Sequence, residues 1–351
     1  QFIKIDPHPL RKLKSQMLRL VSAVGLRDQI KTHAFFANFN DKAVESYRES
    51  PIQIGFSPLK VGDASNFVKS LNPKRKRKLK YMADDVQTWD YNYFQWIFEM
   101  VTEISVRLAV PEEGMSEKEA ADWRAAAKKQ AIEQFTLTFR TPEGFSVERK
   151  RPCIMTSGSV LTILFNSLAM LCVDTLAKLQ MGITKDDIET KFVIKVGGDD
   201  KIQSGPSDFD HQAYVEQLKV MGLEIHGEEV SETSEGIEFY SWIFTTENGE
   251  AVWIPKRFTK HIHALLATKS ADAAQALVSH MWNWVHSEVH YNFFRNQYIK
   301  MNNIDKKMFP LKMIPDRDLI ISMLRGYEAD LPSLLQNQQK CLVDRHSETE
   351  C

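Results

Sequence analysis

The sequence predicts an α+β protein in which short strands are interrupted by long helices. Two turn-forming tetrapeptides, Thr141-Pro142-Glu143-Gly144 and Gly197-Gly198-Asp199-Asp200, each separate two short strand-like runs, the mark of antiparallel hairpins. Long helical patterns fall between them without a regular βα alternation, which sets a parallel sheet aside. The 351 residues are 43% hydrophobic and 26% charged, so the chain can bury a large core and hold more than one lobe, and it is not a disordered chain.

Taken in order, residues 4–40 are basic and mixed, with Pro7 and Pro9 imposing extended or turn conformations. Residues 51–71, rich in Gly, Pro, Ser and Asn, read as loops around a short helix. The run Lys74-Arg75-Lys76-Arg77-Lys78 reads as a solvated helix face, a phosphate contact or a localisation signal. Residues 81–86 form a strand that runs into a carboxylate-bearing turn and then a helix to about Val106. Ser116 and Glu119 make a capping box that opens an Ala-rich helix to about Gln134. A hairpin is expected over 135–140 and 145–149, an apolar helix over 159–179, and a tighter hairpin over 191–196 and 201–204. Residues 210–221 read as helix, and 236–245 and 252–254 as strands. From Lys260 onward the pattern is mostly helical, with Trp282, Trp284, Phe293 and Phe294 read as core and a polar, poorly ordered tail over 327–351.

The net charge of −1 hides an asymmetry. Residues 1–80 carry 17 Lys and Arg against 6 Asp and Glu, leaving 28 against 40 for the rest. A basic block ahead of an acidic one suggests a polyanion-binding surface beside a carboxylate-rich centre; a solvated basic face is the plainer reading. Cys153, Cys172, Cys341 and Cys351 are too few and too scattered for a disulfide framework or a zinc knuckle. No run of eighteen apolar residues is present, so no membrane span is expected. The chain opens with Gln1 rather than Met, which reads as a processed product or a fragment.

Three stretches carry chemistry. At the tip of the tighter hairpin, Asp199 and Asp200 are adjacent carboxylates that repel unless cations neutralise them, and the glycines before them let a bulky ligand approach. Alone, this is also an ordinary hairpin turn. Asp84-Asp85-Val86-Gln87-Thr88-Trp89-Asp90 leaves a strand for a helix, so Asp85 could share divalent cations with Asp199 while Asp90 reaches a neighbouring group. An acidic helix N-terminus is the alternative. Ser159, Thr162 and Asn166 share one face of an otherwise apolar helix, which points to a groove that binds hydroxyls, or to polar groups satisfied within the core.

In order and spacing these stretches resemble viral RNA-dependent RNA polymerases, closest to the sobemovirus, barnavirus and polerovirus group. Asp85-x4-Asp90 is similar to motif A, Ser157-Gly158-x3-Thr162-x3-Asn166 to motif B, and Gly198-Asp199-Asp200 to motif C. Lys4, Lys12 and Arg19 fall where motif F has its basic residues, and 236–244 resembles motif E. The resemblance covers about residues 4–260. It implies a right-hand polymerase with fingers, an antiparallel palm sheet and a helical thumb. The segments would be 1–80 (fingers with motif F), 81–111 (palm, motif A), 112–150 (fingers insertion), 151–248 (palm, motifs B to E) and 249–351 (thumb and tail). The finger sequence ahead of motif F is expected to be missing.

The resemblance further implies RNA-templated RNA synthesis from ribonucleoside triphosphates in a viral replication complex of the host cytoplasm. Asp85, Asp199 and Asp200 would hold two Mg²⁺ ions, or Mn²⁺ in their place, and Lys4, Lys12 and Arg19 would meet the triphosphate. Asp90, Ser157, Thr162 and Asn166 would read the ribose 2′-hydroxyl. Motif D, over 221–229, lacks a clear lysine; His226 is the candidate general acid, a plain surface histidine being the stronger reading of it, and Lys219 is a poorer candidate. Expected partners are template and nascent RNA and the triphosphates; synthesis could start from an RNA primer, from a genome-linked protein, which is common in the resembled group, or de novo. A reverse transcriptase usually has a bulky aromatic at the Asp90 position, and a nuclease has no use for a ribose-reading helix. A non-catalytic RNA-binding palm would not need Asp85, Asp199 and Asp200.

Overall fold

The structure, a computed structural model, describes residues 24–72, 78–109, 113–136, 138–140, 143–148, 154–155, 157–247 and 249–326, with 2–3, 13–14 and 20–22 ahead of them. Lys4, Lys12, Arg19, Lys74 to Arg77 and the tail over 327–351 lie outside the described residues. The chain divides into two compact units, one of residues 1–56 and 70–233, the other of 57–69 and 234–351.

In the first unit, β1 (Phe2–Ile3) pairs with β2 (Leu20–Val21) and is followed by the helix Leu26–Glu45. This helix was not legible as such, because a charged surface obscures a narrow buried stripe of Thr32, Phe36 and Ala43. Next come β3 (Leu79–Val86), the helices Gln95–Leu108 and Glu117–Phe135, and the hairpin of β4 (Thr138–Arg140) and β5 (Ser146–Glu148). The expected capping box is present: Ser116 N–H donates to Glu119 Oε2 at 2.9 Å and Glu119 N–H to Ser116 Oγ at 3.3 Å. Then follow the helices Thr162–Gln180 and Lys185–Lys191, β6 (Val193–Gly197), β7 (Asp200–Pro206), the helix His211–Val220 and β8 (Ile225–Ser231). Lys191 closes a helix capped by Thr184 rather than opening the strand, which starts two residues later. The stretch resembling motif D contributes a strand.

The four longer strands of this unit form one antiparallel sheet in the order β6-β7-β3-β8. On the central strand β3, Tyr81, Met82, Ala83 and Asp84 are buried in succession, so both of its faces are covered. Met82 and Val86 join Trp89, Ile97, Phe98, Phe135, Leu164, Phe165 and Leu168 in the main core. Burying each such side chain contributes about 1.5–3 kcal/mol. The helix Thr162–Gln180 is long and apolar enough to cross a membrane, yet most of it is buried inside this unit, as a core helix is.

In the second unit, the expected strand over 236–245 is two strands. β9 (Glu238–Phe239) turns back at Tyr240 and Ser241 into β10 (Trp242–Glu247), which pairs with β11 (Glu250–Pro255). Tyr240 and Ser241 have φ of 54° and 61°, the left-handed pair of a two-residue hairpin turn without the usual Gly or Asn. Phe67 of the helix Asp63–Leu71 packs on Phe239 and Trp253. The helices Phe258–Leu266, Ala273–Asn283, Glu288–Ile304 and Arg317–Arg325 complete the unit. Trp284 and Phe294 are core, as the sequence predicts, but Trp282 is only partly buried and Phe293 is 38% exposed.

Candidate active site

The register of β3 against β7 assembles the acidic residues. The two strands pair from Leu79↔Pro206 to Asp84↔Lys201, so the next residue on each is a carboxylate, Asp85 on one and Asp200 on the other. Antiparallel neighbours lie about 4.5–5.5 Å apart between Cα atoms. Asp199 sits beside them in the two-residue turn between β6 and β7, where Gly197 faces Asp200. All three side chains are exposed. On its other side Asp85 meets a bulge: Asp84 pairs with Glu228 and Val86 with Ile225, so Asp85 faces both His226 and Gly227 of β8. Such bulges re-aim a side chain at the end of a sheet. The His226 side chain lies outside the described residues.

The turn is held from beneath. Gly198, with φ of 67°, donates its N–H to Ser167 Oγ at 2.8 Å, and Ser167, fully buried, donates to the Ile163 carbonyl at 2.8 Å. Val196 exchanges backbone bonds with Pro51 and Gln53 at 2.9 and 2.7 Å. Ser167 escaped the sequence reading; its position one residue after Asn166 was the available signal.

The residues resembling motifs A and B are stitched together. Asp90 lies in a turn, since the helix opens only at Gln95, and its carbonyl accepts from Met155 N–H at 2.8 Å. Trp89 Nε1–H donates to Asn166 Oδ1 at 3.0 Å. Ser159, expected on the helix, precedes it; its Oγ accepts from Leu161 N–H at 3.2 Å and lies 3.4 Å from Gln134 Oε1. The single helical stripe is therefore replaced by Thr162 in the first turn and Asn166 one turn on, buried to 5% exposure. Ser157 accepts from Ser22 N–H at 2.9 Å. A Cβ on Gly158 would meet the Ser22 carbonyl at 2.6 Å, and its φ of 107° is strained for any other residue. Gly158→Ala is therefore expected to cost about 1–3 kcal/mol, read as a lowered urea midpoint; an unchanged midpoint would contradict this close approach.

Behind the exposed carboxylates lies a buried ionic group that the sequence did not disclose. Lys201 Nζ is 2.8 Å from Asp84 Oδ2, 2.6 Å from Tyr214 Oη and 3.5 Å from Asp174 Oδ1. Tyr214 Oη donates to Asp174 Oδ1 at 2.9 Å, while Lys178 pairs with Asp174 and donates to Gln203 Oε1 at 2.7 Å. His211 Nε2 lies 2.8 Å from Asp84 Oδ1. Burial alone would raise the Asp84 carboxyl, but Lys201 and the His211 bond outweigh it and hold it well below the ordinary carboxylate range. Burial would likewise depress the Lys201 ammonium, and Asp84 and Asp174 raise it instead. The available signals were Asp174 and Lys178 at i and i+4 in an apolar helix, and one charge beside each half of the acidic pair. Lys219, the second candidate acid, pairs with Glu216 on an exposed helix face.

The donor set suits a hard divalent cation: carboxylate oxygens are what Mg²⁺ prefers, and it takes one or two of them with the rest of its shell from water and phosphate. Among the described residues no three His, Cys, Asp or Glu side chains form a closed metal-binding group. Asp85, Asp199 and Asp200 could hold such an ion only as an open site, with oxygens from outside the chain completing its shell.

A sheet end that carries three carboxylates between antiparallel strands, with helices behind it, defines a palm-type α+β fold. The chain belongs to the viral RNA-dependent RNA polymerase family, whose profile matches residues 8–304. It is 26% identical over 170 residues to the replicase polyprotein P2AB of Cocksfoot mottle virus, covering 47% of this chain and 17% of that one. The corresponding polyprotein of Southern bean mosaic virus is 26% identical over 166 residues, 47% of this chain and 16% of its own. The RNA-directed RNA polymerase of Mushroom bacilliform virus is 28% identical over 124 residues, 32% and 26% of the two chains. In fold, the chain is similar to the RNA-dependent RNA polymerase of a human picobirnavirus, with a TM-score of 0.62 at 13% identity, over 84% of this chain and 53% of that one. The matches thus span about a sixth to a quarter of the curated relatives and about half of the solved one.

Proposed function

We propose that the chain catalyses RNA-templated RNA synthesis by two-metal nucleotidyl transfer from ribonucleoside triphosphates. The observation that supports this best is the β3–β7 register, which brings Asp85 and Asp200 side by side with Asp199 at the adjoining turn. Asp85 and Asp199 would hold two Mg²⁺ ions, or Mn²⁺, with Asp200 as the neighbouring ligand. Bound there, the ions would lower the pKa of the RNA 3′-hydroxyl and neutralise charge on the triphosphate. The 3′-oxygen attacks the α-phosphorus and pyrophosphate leaves. Lys12 and Arg19, with Lys4 further out, pair with the triphosphate, Arg through its rigid fork. His226 is the proposed donor of the proton that leaves with pyrophosphate. Template and nascent strand are gripped through their phosphates, so binding weakens with salt. A genome-linked protein as primer, and replication within a host cell, complete the reading. Residues 81–111 and 151–248 form the palm in this account, 1–80 and 112–150 the fingers, and 249–351 the thumb.

Asp90, Ser157, Thr162 and Asn166 would hold the ribose 2′-hydroxyl, and this part is the most open to test. Replacing Asp90 by Ala removes a hydrogen bond to a charged group while sparing the backbone bond to Met155. The loss is about 1.5–3 kcal/mol, or roughly a tenfold to hundredfold fall in preference for ribonucleotides. Single-nucleotide incorporation with paired ribo- and deoxyribonucleotides measures it. An unchanged ratio in Asp90→Ala would remove Asp90 from the ribose site, and equal use of both sugars by the wild type would favour a different polymerase class.

A further inference from the structure

We propose that the buried Asp84–Lys201 pair is a register lock that positions the metal-binding carboxylates; this rests on the function proposed above. Asp84 and Asp85 are consecutive on β3, and Lys201 and Asp200 are consecutive on β7. Side chains alternate between faces along a strand, so the ion pair lies on one face and the acidic pair on the other. The two pairs are set by one alignment. A one-residue slip would put Asp85 and Asp200 on opposite faces of the sheet. A two-residue slip would keep the faces but set Lys201 across from Met82 or Val86, taking its ammonium from Asp84 inside a dry core. No other buried pair of these strands sets opposite charges face to face: Met82 faces Gln203 and Lys80 faces Gly205 on the same side, and Tyr81 faces Ser204 and Ala83 faces Ile202 on the other.

The lock is tied to the elements around it. Tyr214 and His211 bring in the helix His211–Val220, and Asp174 and Lys178 bring in the helix Thr162–Gln180. That second helix also supplies Ser167, which holds the Gly198 turn. The alignment that sets Asp85 beside Asp200 and the bond that holds the turn carrying Asp199 therefore share one support. Buried ion pairs contribute little net stability against apolar replacements, and specifying register is their best-attested use.

The test compares two double variants that each remove one buried charge of either sign. Asp84→Asn/Lys201→Met dissolves the pair across the strands and leaves an acceptor for His211. Asp174→Asn/Lys178→Met dissolves the neighbouring pair, whose bonds from the helix Thr162–Gln180 reach only β7 of the two strands, at Lys201 and Gln203, and leaves Asp84 and Lys201 joined across them. Mn²⁺ affinity, titrated by electron paramagnetic resonance without nucleotide or RNA, is the readout, with thermal melts alongside. The lock predicts about tenfold or more weaker Mn²⁺ binding in the first variant alone, the usual size of an outer-shell effect on a metal site. Equal affinities in the two variants, at wild-type or reduced level, would overturn it. If the first variant does not fold, Asp84→Asn alone, with Lys201 still beside Asp174, reads the same quantity against the same threshold. Primer extension by the wild type is scored separately. Extension with equal variant affinities sinks the lock and keeps the polymerase reading; no extension with separated affinities does the reverse.

Discussion

Replacing Asp199 by Ala abolishes primer extension and leaves RNA binding within about twofold of the wild type. Asp199 sits in the turn between β6 and β7 and is exposed, so its loss leaves the fold intact. In the proposed mechanism it holds metal where charge develops, which is worth several kcal/mol of transition-state stabilisation. About 4 kcal/mol corresponds to a thousandfold in rate. Filter binding of a short RNA, run beside the extension assay, separates the two outcomes. Activity retained within tenfold would remove Asp199 from the metal site, and a parallel loss of RNA binding would make its role structural.

The second large effect is on stability. Lys201→Met alone leaves Asp84 and Asp174 buried around a missing cation, and Asp84→Asn alone leaves Lys201 short of its nearest carboxylate. Breaking a buried pair from one side costs about 3–5 kcal/mol, against a typical total of about 5–15 kcal/mol for a domain. Either single variant should lose a large share of its urea midpoint. Asp84→Asn/Lys201→Met should cost clearly less than the two single changes added together, since neither charge is then left alone. Additive losses in that cycle would contradict the direct pair.

The same group sets a pH dependence. Asp84 and Asp174 are held below the ordinary carboxylate range after burial, which acts the other way, is outweighed by their lysines. Their contribution is complete above the unfolded carboxylate value near 4 and is lost as pH falls toward the depressed folded values. For Asp84 the loss is about 1.4 kcal/mol for each pH unit below about 4. Lys201, raised in the folded state, contributes fully below its ordinary value and loses that only as pH rises through the raised one. To the urea midpoints this group adds no slope through neutrality and a drop in acid that is shallower in Asp84→Asn. That drop comes on top of a decline that begins below about 6.5, where burial keeps His261, His280, His286 and His290 from taking the proton they accept when unfolded. An acid limb identical in wild type and variant would rule out the depressed carboxylate.

What the sequence disclosed follows from where its information is local. The carboxylates at 85, 199 and 200 could be read because a hairpin turn and a strand end mark themselves by residue type. The capping box at Ser116 and Glu119 did the same. Tyr240 and Ser241 broke an expected strand because neither residue advertises a left-handed turn. Ser159 was placed on the helix because its apolar periodicity begins before the backbone does. The Asp84–Lys201 pair was invisible for a different reason: register between strands more than a hundred positions apart is a tertiary fact. Asp84 could only be read as a neighbour of Asp85. Asn166 was read as lining a groove or as satisfied within the core; its oxygen accepts from Trp89, a partner seventy-seven positions away that no local pattern discloses.

Polymerase chemistry at the β3–β7 end of the sheet is tested by extension of an RNA primer on an RNA template, run with ribonucleotides and with or without Mg²⁺. Stepwise extension that requires the metal, copies the template and disappears with Asp199→Ala is the expected result. Wild-type protein that binds the primer–template in a salt-sensitive way but adds no nucleotide in Mg²⁺ or Mn²⁺ would contradict it.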